Sequence, residues 1–190
     1  MAATGISGTF TSSSGMASAE EIRTAFIENK QALTWLAEFL TDDETIASAC
    51  VIDASTLKER EYEIGKEWFC AWPRYATIHS ALDIQRGRIA QLAPVYSRDE
   101  RLYGHHAPLS QDMVGFVANE SIIVRHQLDV LCRFVLILCG VEQRSSGEAA
   151  LLLGISEQAV EAAYCAALES LAVIQCQIIV ESGYCGTVLN

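Results

Sequence analysis

A chain of 190 residues, 51% hydrophobic and 19% charged, holds enough apolar material for one large domain or two small ones, which excludes a globally disordered chain. Its formal net charge of −11 opposes long-range attraction to nucleic acid and to anionic membranes. A mean hydropathy of +0.21 is high for a soluble chain and points to apolar surface covered by another domain or protein.

Residues 1–18 are rich in Gly, Ser, Thr and Ala without a helical period and read as a mobile tail. Ser18 and Glu21 form the S-x-x-E capping signature. It opens one long amphipathic helix, AEEIRTAFIENKQALTWLAEFL, with Ile22, Phe26, Leu33, Leu36 and Leu40 on a common stripe. Asp42 or Asp43 caps a second helix through ETIASACVIDAS. A charged turn from Lys58 leads to a helix near Lys66, which meets Pro73 and is kinked or split there. A further helix covers residues 75–92. Residues 94–118 open with PVYSRDERLYGHHAPLSQ, whose two prolines, glycine and mixed charge read as a linker between helical domains at 19–93 and 119–182. In the second domain LDVLCRFVLIL is a buried helix, and Ser145 with Glu148 makes another capping box. The end, QCQIIVESGYCGTVLN, suits either a continued helix or an extended segment, with 183–190 as a tail. The fold class is all-α.

The most apolar continuous run, residues 134–141, is far below the roughly 20 residues a bilayer span needs. No basic-then-apolar leader opens the chain. The seven Cys form no C-x-x-C pair and read as small hydrophobes in a reducing, cytoplasmic compartment. His105 and His106 have no further ligands at metal spacing, so no metal or cofactor is expected. No nucleophile–base order or phosphate loop is visible, and the chain does not read as an enzyme.

The segment SSGEAALLLGISEQAVEAAYCAALESL reads as a helix-turn-helix. Ala150 lets the second helix cross closely, and Gly154 permits a left-handed turn. Ile155 fills the wedge, Ser156 is the N-cap, and Val160 locks the crossing. Yet no Lys or Arg follows Arg144, and the second helix carries Glu157, Glu161 and Glu169. Phosphate neutralisation supplies nearly all non-specific DNA affinity, about 5–8 kcal/mol in total. Each charge pair about 4 Å apart in water is worth roughly 1 kcal/mol, so several lost and reversed contacts remove most of it. That helix is also apolar nearly all round, from Ala162 to Leu171, and so is buried on more than one side. Its cover is either another protein surface or an internal core.

The run over residues 128–171 resembles region four of bacterial RNA polymerase sigma factors of the extracytoplasmic-function group; VEQRS, LLGISE and ALESL carry the likeness. FCAW at residues 69–72 is similar to the F-x-A-W of region two. HSALDIQRGR at residues 79–88 is similar to its N-x-x-x-D-x-x-R-x-R, with Asp83, Arg86 and Arg88 matching and His79 in place of the Asn. The resemblance implies cations along the second helix, toward the −35 promoter element. Those positions hold Glu161, Ala163, Ala166, Leu168 and Ser170, preceded by Glu157, so the recognition face is degenerate. The acidic pair that grips polymerase in the family falls on Ala47 and Ser48. Trp72, Arg74, Arg86 and Arg88 remain as a basic–aromatic set where the family meets the −10 element. They read as core aromatics with snorkelling Arg, or alternatively as a base-stacking patch.

The resemblance thus implies a sigma-factor-like, transcription-related protein with weak or absent DNA binding of its own and no membrane role. Its partner would be RNA polymerase, an anti-sigma-like protein or itself, with Leu151, Tyr164 and Leu168 as contact residues. A functional sigma factor and a self-associating helical protein with no transcription role are the alternatives.

Overall fold

The computed structural model describes residues 17–56, 71–98 and 108–181, which are helical with no strand among them. The first helix, α1 (Ala19–Glu28), opens as its residues dictate: Ser18 Oγ accepts from the Glu21 amide at 3.2 Å, and Glu21 Oε2 accepts from the Ser18 amide at 2.6 Å. The long amphipathic helix expected here is two helices, because α2 (Lys30–Thr41) starts anew after Asn29. Asn29 Nδ2 donates to the Ala25 carbonyl at 2.8 Å, a local side-chain bond that competes with continued winding. The stripe survives the break: Ile22, Phe26, Leu33, Leu36 and Leu40 are all buried.

Helix α2 ends on Asp42 in the left-handed conformation, φ 62°. Asp43, not Asp42, then caps α3 (Glu44–Thr56), accepting from the Ile46 amide at 2.9 Å. The Lys58 turn and the helix expected from Lys66 lie outside the described residues. Pro73 sits in the first turn of α4 (Trp72–Tyr96), where its missing N–H removes no helical bond. This helix continues through Pro94, so the expected linker begins with one more helical turn; Ala90, whose carbonyl Pro94 cannot bond, is an exposed residue. Of the tail expected at 1–18, residues 1–16 lie outside the described residues, as do the histidine pair at 105 and 106 and the tail at 183–190, while Ser18 is the cap of α1.

Helix α5 (Gln111–Asn119) takes up the end of the expected linker, with Ser110 Oγ accepting from the Met113 amide at 3.3 Å. After α6 (Ser121–Gln127), Asp129 caps α7 (Val130–Val135), which widens into a π turn at Leu136–Val141. There the Glu142 amide donates to the Ile137 carbonyl at 2.8 Å, one residue further back than in an α-helix. Helices α8 (Ser146–Leu153) and α9 (Glu157–Glu181) follow. By length and composition α9 is long and apolar enough over Glu157–Val180 to cross a membrane, which a scan for continuous apolar runs missed. Its inner side, including Val160, Ala163, Ala167, Leu171 and Ile174, is buried in the protein.

One cluster of buried side chains joins the helices on both sides of residues 99–107. It takes Leu36, Leu82 and Ile89 from upstream, and Leu131, Phe134 and Leu171 from downstream. Helix α4 packs on α7 and α9, and α2 packs on α7. A satellite cluster holds Ile22, Phe26, Leu33, Ala54 and Ala76.

Gly140 is the tightest point in the π turn. A Cβ there would meet Leu109 Cγ at 2.9 Å and Cδ1 at 3.0 Å, with Tyr164 Oη at 3.2 Å. The Leu109 amide also bonds the Gly140 carbonyl at 3.1 Å, which fixes the approach. Gly140→Ala is expected to cost about 1–2 kcal/mol, because Leu109 is only half-buried and yields before the backbone does. A urea titration checks this, and an unchanged midpoint would show that the contact relaxes freely.

Candidate functional site: the α8–α9 pair and its surroundings

Helix α8 begins with the second capping box. Ser145 Oγ accepts from the Glu148 amide at 3.2 Å, and Glu148 Oε2 accepts from the Ser145 amide at 2.9 Å. The backbone bond from Ser145, with its hydroxyl, holds the Glu148 carboxyl below the usual range. The helix ends on Gly154 at φ 70°, a conformation open to Gly and strained for other residues. The amides of Gly154 and Ile155 both donate to the Ala150 carbonyl, at 2.9 and 3.2 Å. Ser156 Oγ accepts from the Ala159 amide at 3.2 Å and starts α9. Ala150 and Val160 are buried, and Ile155 packs against the core. All five scaffold residues named from sequence therefore meet at one tight turn.

The degenerate recognition face does not assemble as one surface. Ala163 is 0% exposed, so it belongs to the core and is removed from that face. Ala166 and Leu168 are half-buried and pack against the same core, and Ser170 Oγ bonds back to the Ala166 carbonyl at 2.9 Å. The helical period explains this, because Ala163 shares a side with Ala159, Val160 and Ala167. Glu157 and Glu161 do reach solvent, the first fully and the second in part. Ser146 Oγ donates to Glu157 Oε1 at 2.6 Å and lies 3.3 Å from Glu161 Oε1. Around the solvent side of α9 they are joined by Gln158, Glu169, Ala172 and Cys176.

The basic–aromatic set is dispersed along α4. Trp72 leans on Tyr75 with ring centroids 5.8 Å apart, and Tyr75 lies 4.2 Å from His79. Arg86 continues that side of the helix, paired with Asp83 at 3.0 Å. Arg74 and Arg88 project from other sides by helical period. Arg74 Nε donates to Glu142 at 2.9 Å, and Arg88 reaches Gln85 Oε1 at 3.4 Å. From Trp72 to Arg88 is about 24 Å along the axis. With Arg74 and Arg86 offset by carboxylates, these residues form no continuous cationic strip. Burial holds the His79 imidazole below its usual range, although Asp83 acts the other way.

Of the expected protein-contact residues, Leu151 is 86% exposed and Leu168 is half-buried. Tyr164 is corrected to the core: it is 3% exposed, and burial with the nearby Cys139 pushes its phenol up to about 12. Ala47, at a position of the expected acidic pair, is fully buried, while Ser48 is exposed. Burial also pushes the Cys132 thiol up to about 12 and Cys139 to about 11, so both stay protonated at neutral pH. Among the described residues no group of three or more His, Cys, Asp or Glu is placed to hold a metal ion.

Sequence reasoning passed over the group with the highest electrostatic stakes. Arg133, in the middle of LDVLCRFVLIL, is 2% exposed. Its Nη1 donates to the Arg125 carbonyl at 3.2 Å and lies 3.5 Å from Asp42 Oδ2. Arg125 Nε stands 3.0 Å from Asp42 Oδ1. Burial lowers the Arg133 pKa, and Asp42 opposes that shift. A lone Arg inside an apolar run signals that a counter-charge must arrive from elsewhere. Three smaller contacts join the same two groups of helices. Arg74 meets Glu142, Tyr96 Oη donates to Asp129 Oδ2 at 2.6 Å, and Ser97 Oγ lies 3.1 Å from Ser156 Oγ.

No family model, curated protein or solved structure matches the chain.

Proposed function

We propose that this chain is a sigma-factor-like, transcription-related protein that works through protein contacts and does not read duplex DNA through α9. One observation carries the reading. The outward side of α9 begins with Glu157, Gln158 and Glu161, and no Lys or Arg follows Arg144 to offset them. The turn at Gly154, with Ala150, Ile155, Ser156 and Val160 gathered on it, supports a helix-turn-helix ancestry. The Ser97–Ser156 contact adds a second argument, because it holds the end of α4 against the start of α9, the end a reading helix would point into a groove. Leu151, exposed on α8, is the residue best placed for a protein partner such as polymerase or an anti-sigma-like protein.

Fluorescence anisotropy with a promoter-length duplex at low salt tests this. The wild-type chain is expected not to saturate at micromolar concentration. Glu157→Arg combined with Glu161→Arg is expected to produce binding whose logarithm falls with log salt at a slope of about −2, for two phosphates neutralised. Micromolar wild-type binding that weakens steeply with salt would overturn the proposal.

A further inference from the structure

We infer that α5 is a strap, fixed at both ends and held lightly between them, that lifts off the protein as a unit while the rest stays folded. The downstream end is firm. Val124, in α6, is fully buried, Arg125 Nε stands 3.0 Å from Asp42 Oδ1, and the Arg125 carbonyl accepts from Arg133 Nη1 at 3.2 Å. The upstream end is fixed as well. The Leu109 amide donates to the Gly140 carbonyl at 3.1 Å, and the Leu109 side chain lies against Gly140. Between these points α5 has one buried side chain, Val117, with Met113 and Phe116 partly buried against the core. Its polar link to α9 is weak: Gln175 Nε2 donates to the Met113 sulfur at 3.1 Å, and a thioether is a poor acceptor.

Three features make this helix the easiest to release. In α7 every residue from Val130 to Val135 is buried, whereas in α5 Gln111, Asp112, Ala118 and Asn119 are exposed. Local opening costs least where few apolar contacts are lost. Gly115 sits in the middle turns, and nothing lies within 4 Å of where a Cβ would stand. Its missing side chain therefore serves no close approach, and it weakens the helix relative to Ala. The helix is also short. At 9 residues it is below the roughly 12–15 that an isolated helix needs in water, so α5 unwinds once it leaves the core. Lifting it bares Met113, Phe116 and Val117 together with the side of α9 at Gln175, apolar area that the closed protein hides. The device uses neither the α8–α9 turn nor the acids of α9, and it stands whichever way the DNA titration falls.

Hydrogen–deuterium exchange of the full chain, read on peptides from α5 and α7 under conditions where the rate reports the opening equilibrium, tests it. The amides of residues 114–119 are expected to exchange at least about a hundredfold faster than those of α7. Their rate is expected to stay flat in urea below the unfolding transition, because a local opening exposes little surface. Val117→Ala is expected to speed them at least about tenfold. Gly115→Ala is expected to slow them about four- to fivefold. The deciding variant is Ile89→Val, in α4, where Ile89 is fully buried. It is expected to speed α7 about fivefold and to leave α5 unchanged, since a local opening does not break the core. Protection retained in α7 shows that each variant is folded. Equal acceleration of α5 and α7 by Ile89→Val would mean that α5 opens only with the whole protein, and overturns the inference. So does wild-type exchange as slow in α5 as in α7, or an α5 rate indifferent to Val117→Ala and Gly115→Ala.

Discussion

Truncating Phe134 to alanine is expected to lower the unfolding free energy by about 4 kcal/mol, as a single urea transition seen alike by tryptophan fluorescence and far-UV circular dichroism. Phe134 is fully buried, in a cluster that draws on helices from both sides of residues 99–107. Removing its ring deletes apolar contact area and leaves a cavity that the surrounding Leu and Ile side chains fill only in part. The probes report on different regions. All three tryptophans, Trp35, Trp68 and Trp72, belong to the upstream part of the sequence, whereas Phe134 lies in α7. Trp35 stacks on Phe39 at 5.6 Å, and Phe39 belongs to the shared cluster. If that cluster makes one cooperative unit, a lesson cut into α7 must move the fluorescence of α2 as far as it moves total helicity. A fluorescence midpoint left in place while circular dichroism becomes biphasic would show two units that unfold separately.

Replacing Asp42 with Asn is expected to cost about 3 kcal/mol, and adding Arg133→Met to that variant is expected to recover most of it. Asn tolerates the left-handed backbone that Asp42 adopts, so the substitution removes charge and little else. What it leaves behind is Arg133, 2% exposed, with a backbone carbonyl but no counter-ion. Breaking a buried pair from one side costs more than removing both charges, because the stranded ion keeps its desolvation penalty. The value sits at the low end of that range because the Asp42 side chain is 35% exposed, which admits water to the site. A double-mutant cycle in urea measures the coupling. Strictly additive losses from the two single variants would mean that Asp42 and Arg133 do not sense each other. Loss of the Asp42 charge also frees Arg125, whose other acidic neighbour, Glu38, lies 3.9 Å away.

The features legible in the sequence are those a few neighbouring residues decide. Ser18 with Glu21, Ser145 with Glu148, and Gly154 between two helical patterns each act within about one turn, and each is found where expected. The all-α class follows from the same local patterns. What the sequence hid depends on distant partners. Asn29 ends α1 through a bond that any helical Asn can decline, so the composition of the amphipathic run concealed the break. The stretch read as a linker holds α5, because Pro108 stands before the helix and Gly115 inside it costs only about 1 kcal/mol relative to Ala, which the helix tolerates. Likeness to a family pattern turns Ala163 outward, and the all-round apolar composition of α9 makes Tyr164 a contact residue. Counting the helical period from Val160 would have put them inward with Ala167 and Leu171. The Arg133–Asp42 pairing spans most of the upstream helices, and no local rule names which carboxylate comes to meet a buried guanidinium.

At Leu136–Val141 the chain takes up an extra residue without completing an extra turn. Six residues in this wide stretch carry the chain round through nearly the same angle as five in ordinary winding. Deleting one is therefore expected to let regular winding resume while leaving the heading of α8 and α9 close to what it is. A three-nucleotide deletion there would shorten the chain and spare both the surface of the downstream pair and its direction.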